Sequence, residues 1–258
     1  MRKYIVSILC LLLIVSCLCG CSPTTHPIET APENTTNSVT ETTTPTETQQ
    51  PTDPAQTEPE ETTTPTTPDI IITPLEEIDD STMVNILDYI PDAIVDLKYS
   101  TTDNFTGQQI YDAGMPAQLR AGTVKKLVRA QETFREVGYT IVIWDAYRPV
   151  AAQFKLWDVY PDANYVANPN TGYSSHSKGN TVDITLAYSS GELIEMPTEF
   201  DDFSEAADRD YSEFIDSAPN RMLNAQFLET VMKQNGFKPY SAEWWHFTDT
   251  QDYDVVQE

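Results

Sequence analysis

Between Ser22 and about Pro68 the chain has no aromatic residue, no lysine and no arginine, and only Ile28 and Val39 are branched apolar residues. The stretch repeats Thr, Pro and Glu, as in "TETTTPTETQQPTDPAQTEPEETTTPTTP". Such a composition cannot bury enough apolar surface to offset the entropy lost on ordering a chain, so it predicts a disordered, partly extended tether. Any folded unit must therefore be built from the residues beyond it. We place the boundary at 75/76, with the tether over 22–75 and one domain over 76–258. His26 lies in the tether and reads as a solvated residue.

What precedes the tether bears on the compartment. Arg2 and Lys3 are followed by "YIVSILCLLLIVS", an apolar run of signal-peptide length and too short to favour a membrane span. The run closes on "LCGC", which resembles a lipobox ending at Cys21; "IVSC", ending at Cys17, is a competing match. The reading is a lipoprotein signal over 1–21, lipidation of Cys21, and an extracytoplasmic protein anchored at the outer face of a Gram-positive-type membrane. All four cysteines (Cys10, Cys17, Cys19 and Cys21) lie in this segment. Disulfides, thiolate metal sites and cysteine nucleophiles are thus excluded for the domain. Net charge is −25, and beyond residue 80 the chain remains acidic, which disfavours a nucleic-acid partner.

The remaining residues, about 178, suffice for one core. "GTVKKLVRAQETFREVG" predicts a helix with Thr123 as N-cap, Val124, Leu127, Val128, Phe134 and Val137 on one side, and Gly138 as its stop. "YTIVIWDAY" predicts a buried strand, "VAAQFKLWDVY" a helix, "TVDITLAY" a strand with which "GELIEM" can pair, and "NRMLNAQFLETVMKQNG" a second long helix. "FKPYSAEWWHF" reads as extended. Without strict βαβ alternation, the fold class is α+β, a mainly antiparallel sheet flanked by helices.

Only two histidines remain for this domain. His176 lies in "SSHSKGNTVD" and His246 in "EWWHF". On a strand through "TVDIT", Asp183 and Thr185 share one face and Val182 and Ile184 the other. Gly179 allows the preceding loop to fold back and bring His176 beside Asp183. Two imidazoles and a carboxylate form a ligand set suited to zinc with a fourth position open. Glu243, three residues before His246, can share the site as a proton acceptor. Trp244 and Trp245 read as packing.

Taken together, these motifs resemble those of the VanX-like zinc D-alanyl-D-alanine dipeptidases, within the LAS group of peptidoglycan peptidases. "KYSTTDNFTG", "WDAYRP", "GELIEM", "FDDF" and "NGFKPYSAEWWH" follow in that family's order, from about Ile86 to Phe247. The Ser-x-His-x6-Asp and Glu-x-x-His pair is common to the whole group, whereas "DNFTG" and "DAYRP" are more specific to the dipeptidase branch. The resemblance implies a single zinc peptidase domain with one zinc held by His176, Asp183 and His246, and Glu243 as general base. It further implies that Arg148 steadies the oxyanion, that Asp201 holds the substrate ammonium, and that Ser174 and Tyr99 line the pocket. Asp145 is expected to orient Arg148 or the sheet edge.

The implied activity is hydrolysis of D-alanyl-D-alanine in peptidoglycan metabolism. A D,D- or L,D-carboxypeptidase trimming stem peptides is the alternative, and a catalytically silent wall-binding lipoprotein is a third reading, disfavoured by Glu243 and Arg148. The export signal departs from the resistance-linked members of the family, which act in the cytoplasm. That puts a role in glycopeptide resistance in doubt and points to stem trimming or salvage of released dipeptide.

Overall fold

The computed structural model describes residues 72–163 and 165–257. The proposed signal, Cys17, Cys21 and the tract through residue 71 lie outside the described residues. The described residues fall within the compact unit Thr66–Glu258.

The centre of that unit is a five-stranded sheet. In chain order its strands are β2 (Ile94–Val95), β4 (Tyr139–Asp145), β5 (Thr181–Tyr188), β6 (Phe237–Pro239) and β7 (His246–Asp249), arranged β2-β4-β5-β7-β6. Two further strands, β1 (Met83–Asn85) and β3 (Gln118–Arg120), form a separate antiparallel pair. The sheet is mainly antiparallel, as expected, but it is mixed: the short β2 runs parallel to β4. The sequence around Ile94 carries too brief an extended run to announce that pairing. "GELIEM" does reach β5, through a bridge between Leu193 and Ala187.

Among the described residues four α-helices accompany the sheet: α1 (Ala121–Glu136), α2 (Val150–Val159), the short α3 (Phe214–Ser217) and α4 (Pro219–Gln234). Phe134 of α1 meets Phe227 of α4 edge-on at 5.8 Å, and Leu127, Phe134, Leu228 and Met232 are buried. Gln131 fastens α1 to β4 and to the loop before β2. Its side chain accepts from Ile141 N at 3.0 Å and donates to Thr140 Oγ1 and Asp92 Oδ2.

Two details of α1 correct the sequence reading. Its N-cap is Arg120, not Thr123. The first-turn amides of Ala121 and Gly122 donate to the carbonyls of Thr82 and Asp80, so tertiary backbone contacts do the work of a capping side chain. Thr123 lies inside the first turn, buried, and donates to Asp249 Oδ2 at 2.8 Å. Val137 is exposed, because the helix ends before it and Gly138, at φ 80°, turns the chain away into β4.

Along β5, Val182, Ile184 and Leu186 face one side and Thr181, Asp183 and Thr185 the other, and all are buried. The β4–β5 register slips between Ile143 and Asp145, which sets Asp145 directly opposite Asp183. On its other edge β5 pairs with β7, placing Asp183 opposite His246. Three residues of the polar motifs thereby converge at one end of the sheet.

Candidate active site

His176 stands on a single 3-10 turn, Ser175–Lys178. Ser174 caps the turn, its hydroxyl accepting from His176 N at 3.3 Å. Gly179 ends it at φ 72°, a left-handed conformation that favours glycine; a Cβ there would lie 2.7 Å from Met83 Sδ, at the movable end of that side chain. The His176 ring donates from Nδ1 to Ala146 O at 2.8 Å, which turns Nε2 towards Asp183 Oδ2, 3.3 Å away. His246 approaches from β7 with Nδ1 3.0 Å from Asp183 Oδ1. One ligand atom from each of His176, Asp183 and His246 lies within 4.8 Å of the others.

This cluster suits a cation. Asp183 Oδ1 is buried and accepts no hydrogen bond. Burial alone would push the Asp183 carboxyl up, but the two imidazoles outweigh it and hold it well below the ordinary carboxylate range. Burial likewise works against a proton on His246, yet Asp183 and Glu243 prevail and push it up to about 9. A site that draws a proton so strongly onto an imidazole is anionic enough to take a divalent ion instead. Two nitrogens and one carboxylate oxygen are the donors that zinc accepts while leaving a position for water.

Glu243 Oε2 is 3.3 Å from His246 Nδ1, and the side chain keeps partial access to solvent. Arg148 is buried behind the cluster. Its Nε and Nη2 donate to Asp145 Oδ2, its Nη1 donates to Gln153 Oε1 at 2.9 Å, and its guanidinium lies 5.0 Å over the Tyr99 ring. Asp145 therefore orients Arg148, as expected, and its Oδ1 also accepts from the Tyr111 hydroxyl and Ala146 N.

Asp201 is the one non-glycine residue at positive φ among the described residues, at 56°. It accepts a hydrogen bond from the Tyr99 hydroxyl at 2.9 Å. Burial pushes the Asp201 carboxyl well up; the Tyr99 bond opposes this, while Asp183 and Glu243 add to it. Tyr99 itself is buried, packed edge-on against Tyr111 and Phe200.

Every site residue read from the domain's sequence meets in one cleft of about 450 Å³: Tyr99, Arg148, Ser174, His176, Asp183, Asp201, Glu243 and His246 all line it. Trp244 and Trp245 are core residues, although Trp245 also reaches the cleft wall. Sequence reasoning missed Tyr111, Gln153 and Thr248. Thr248 had a signal, since it follows His246 by two residues on a strand; its Oγ1 is 3.3 Å from His246 Nε2. Tyr111 and Gln153 had none, because only the fold brings them to Arg148.

An α+β domain with a His-Asp-His set open to a cleft, and a glutamate beside it, has the form of a metal-dependent hydrolase. A family model described as D-ala-D-ala dipeptidase, of the M15 peptidases, matches residues 79–257, and the chain belongs to this family. The chain is 34% identical over 169 residues to the D-alanyl-D-alanine dipeptidase of Escherichia coli (strain K12), covering 66% of this chain and 85% of the relative. It is also 34% identical over 173 residues to that of Enterococcus faecium, covering 59% and 83%. A solved structure of a vancomycin resistance D,D-pentapeptidase VanY mutant in complex with Zn(II) overlaps at a TM-score of 0.35 and 17% identity, over 55% of this chain and 78% of that one.

Proposed function

We propose that this chain is a zinc-dependent D-alanyl-D-alanine dipeptidase of peptidoglycan metabolism, with one zinc per chain held by His176, Asp183 and His246. The observation that carries the reading is that one cleft holds both the His-Asp-His cluster and, separately, the Tyr99–Asp201 pair. The first is suited to hydrolysis, the second to a free ammonium. Curated relatives at 34% identity bear the name of that dipeptidase.

Zinc held by His176, Asp183 and His246 would supply Lewis acidity towards the scissile carbonyl and the attacking water. Glu243, partly solvated beside His246, accepts the proton of the attacking water and returns it to the leaving amine. A guanidinium has five N–H groups. Three nitrogens of Arg148 each spend one on Asp145, Tyr111 or Gln153, which leaves a second N–H on each terminal nitrogen for the developing oxyanion. Asp201 takes the substrate ammonium, and Tyr99 fixes the carboxylate that does so. Ser174 holds the His176 turn and lines the pocket.

The domain layout belongs to the same proposal: signal 1–21, tether 22–75 and catalytic domain 76–258. So does the location, with Cys21 lipidated and the domain held outside the cytoplasm at the membrane. Radiolabelled lipid incorporation that disappears in Cys21→Ala, and not in Cys17→Ala, tests the anchor. For the activity, the purified protein is offered D-alanyl-D-alanine and, separately, a stem pentapeptide ending in D-alanyl-D-alanine. Faster release of D-alanine from the free dipeptide supports the dipeptidase; preference for the stem supports a carboxypeptidase.

A further inference from the structure

A dipeptide carries a carboxylate as well as an ammonium, and the cleft is poor in groups to meet it. Asp183, Asp201 and Glu243 all face the cleft, and the domain is acidic throughout, so an incoming anion is repelled. Among the described residues, two cationic side chains other than histidine line the cleft, Arg148 and Lys238. The charge of Arg148 is matched by Asp145, which it meets through two nitrogens. Lys238 is different: among the described residues its ammonium has no ion-pair or hydrogen-bond partner.

Strand register aims Lys238 at the chemistry. On β6 it pairs with Thr248 of β7, and Thr248 pairs with Thr181 of β5. Directly paired residues of neighbouring antiparallel strands share a face. Lys238 thus stands on the face that carries Asp183 and His246, one row along the strands from that pair. The Thr181 and Thr248 hydroxyls, 3.0 Å apart, occupy the row between β5 and Lys238. As β6 is an edge strand, the ammonium on its flexible four-carbon stem can swing over the cleft mouth.

We infer that Lys238 is a specificity-determining residue that binds the C-terminal carboxylate of the peptide substrate. This rests on the dipeptidase reading for the substrate, though not for the carboxylate. With Asp201 taking the ammonium, the substrate is then read at both charged ends, and the scissile bond is held between them.

The test pairs a residue change with a substrate change. Lys238→Met and Lys238→Arg are compared with the unaltered protein on D-alanyl-D-alanine and on its C-terminal amide. Lys238→Met should raise KM for the free dipeptide about tenfold or more, the scale of one charge-assisted hydrogen bond, with kcat little changed. Lys238→Arg should restore most of it. On the amide, all three proteins should behave alike, because the charge that Lys238 reads is gone. Equal losses on acid and amide, or no loss on either, would overturn the inference. If the unaltered protein does not cleave the dipeptide, the dipeptidase reading fails, and the same comparison on a stem pentapeptide ending in free or amidated D-alanine still decides the role of Lys238.

Discussion

The hydroxyl of Tyr99 donates to the carboxylate of Asp201 across 2.9 Å, joining a short 3-10 turn to a loop 102 residues further along the chain at the cleft wall. Tyr99 sits on the single 3-10 turn Lys98–Ser100, and Asp201 lies outside the helices and strands. The bond fixes the position of the carboxylate on a residue whose backbone stands at φ 56°.

If that carboxylate takes the substrate ammonium, Asp201→Asn should cut kcat/KM on D-alanyl-D-alanine by roughly two to four orders of magnitude. That is the scale for a buried charge pair broken on one side. Asparagine tolerates the left-handed region, so the loop should keep its shape. N-acetyl-D-alanyl-D-alanine should be a very poor substrate for the unaltered protein and should be little affected by Asp201→Asn. Steady-state kinetics on the two substrates checks this. Equal sensitivity of both would leave Asp201 outside ammonium binding.

Metal retention separates the roles of Glu243 and His176. Glu243→Gln should keep the metal and lose turnover by about 10²–10⁴-fold, since a proton acceptor is removed. His176→Ala should lose the metal. Metal content after gel filtration, measured beside activity, checks both. Loss of metal from Glu243→Gln would make Glu243 a ligand.

The metal cluster and Glu243 were legible in the residues for a physical reason, whereas Arg148, Asp201, Ser174 and Tyr99 came only from the resemblance to the dipeptidase family. With only two histidines in the domain, and Asp183 on a strand of known alternation, few pairings could make a ligand set. The parts that escaped depend on tertiary contacts. Thr123 looked like a cap, but the carbonyls of Thr82 and Asp80 already serve the helix end, and nothing local encodes that. The register slip that sets Asp145 opposite Asp183 is equally silent in "YTIVIWD". Tyr111 and Gln153 reach Arg148 only because the loops and α2 fold over it.

The chain beyond β7 returns to the turn that carries His176. Val256 N donates to Ser177 O at 3.0 Å, Lys178 pairs with Asp252 at 2.7 Å, and Arg120 links Lys178 O to Asp254 O. Ending the chain after Thr250 should loosen this turn. We expect zinc affinity to fall at least tenfold, the scale seen when groups supporting a ligand are lost, with helix content unchanged. A competition titration with a chromogenic chelator, with circular dichroism alongside, checks it. Unchanged affinity would show that the turn holds itself.

Acid stability should depend on Asp92. Its carboxyl is lowered to about 2, first by the hydrogen bond from Arg135 and, against the opposing effect of burial, also by Gln131. A depressed folded pKa contributes stability above the ordinary value of 3.8 and loses it as pH falls through about 2. Asp92→Asn should therefore lower Tm at pH 6 and narrow its gap to the unaltered protein as pH drops below 3.8. The partners are half exposed, so the effect should be small. A gap that stays constant with pH would place the contribution elsewhere.

Metal-dependent hydrolysis of D-alanyl-D-alanine is read from D-alanine release from that dipeptide before chelation, after chelation and after zinc is returned. Turnover should disappear when the metal is stripped and come back with one equivalent of zinc per chain. Hydrolysis that continues undiminished in metal-free protein, or zinc-loaded protein that releases no D-alanine, would contradict it.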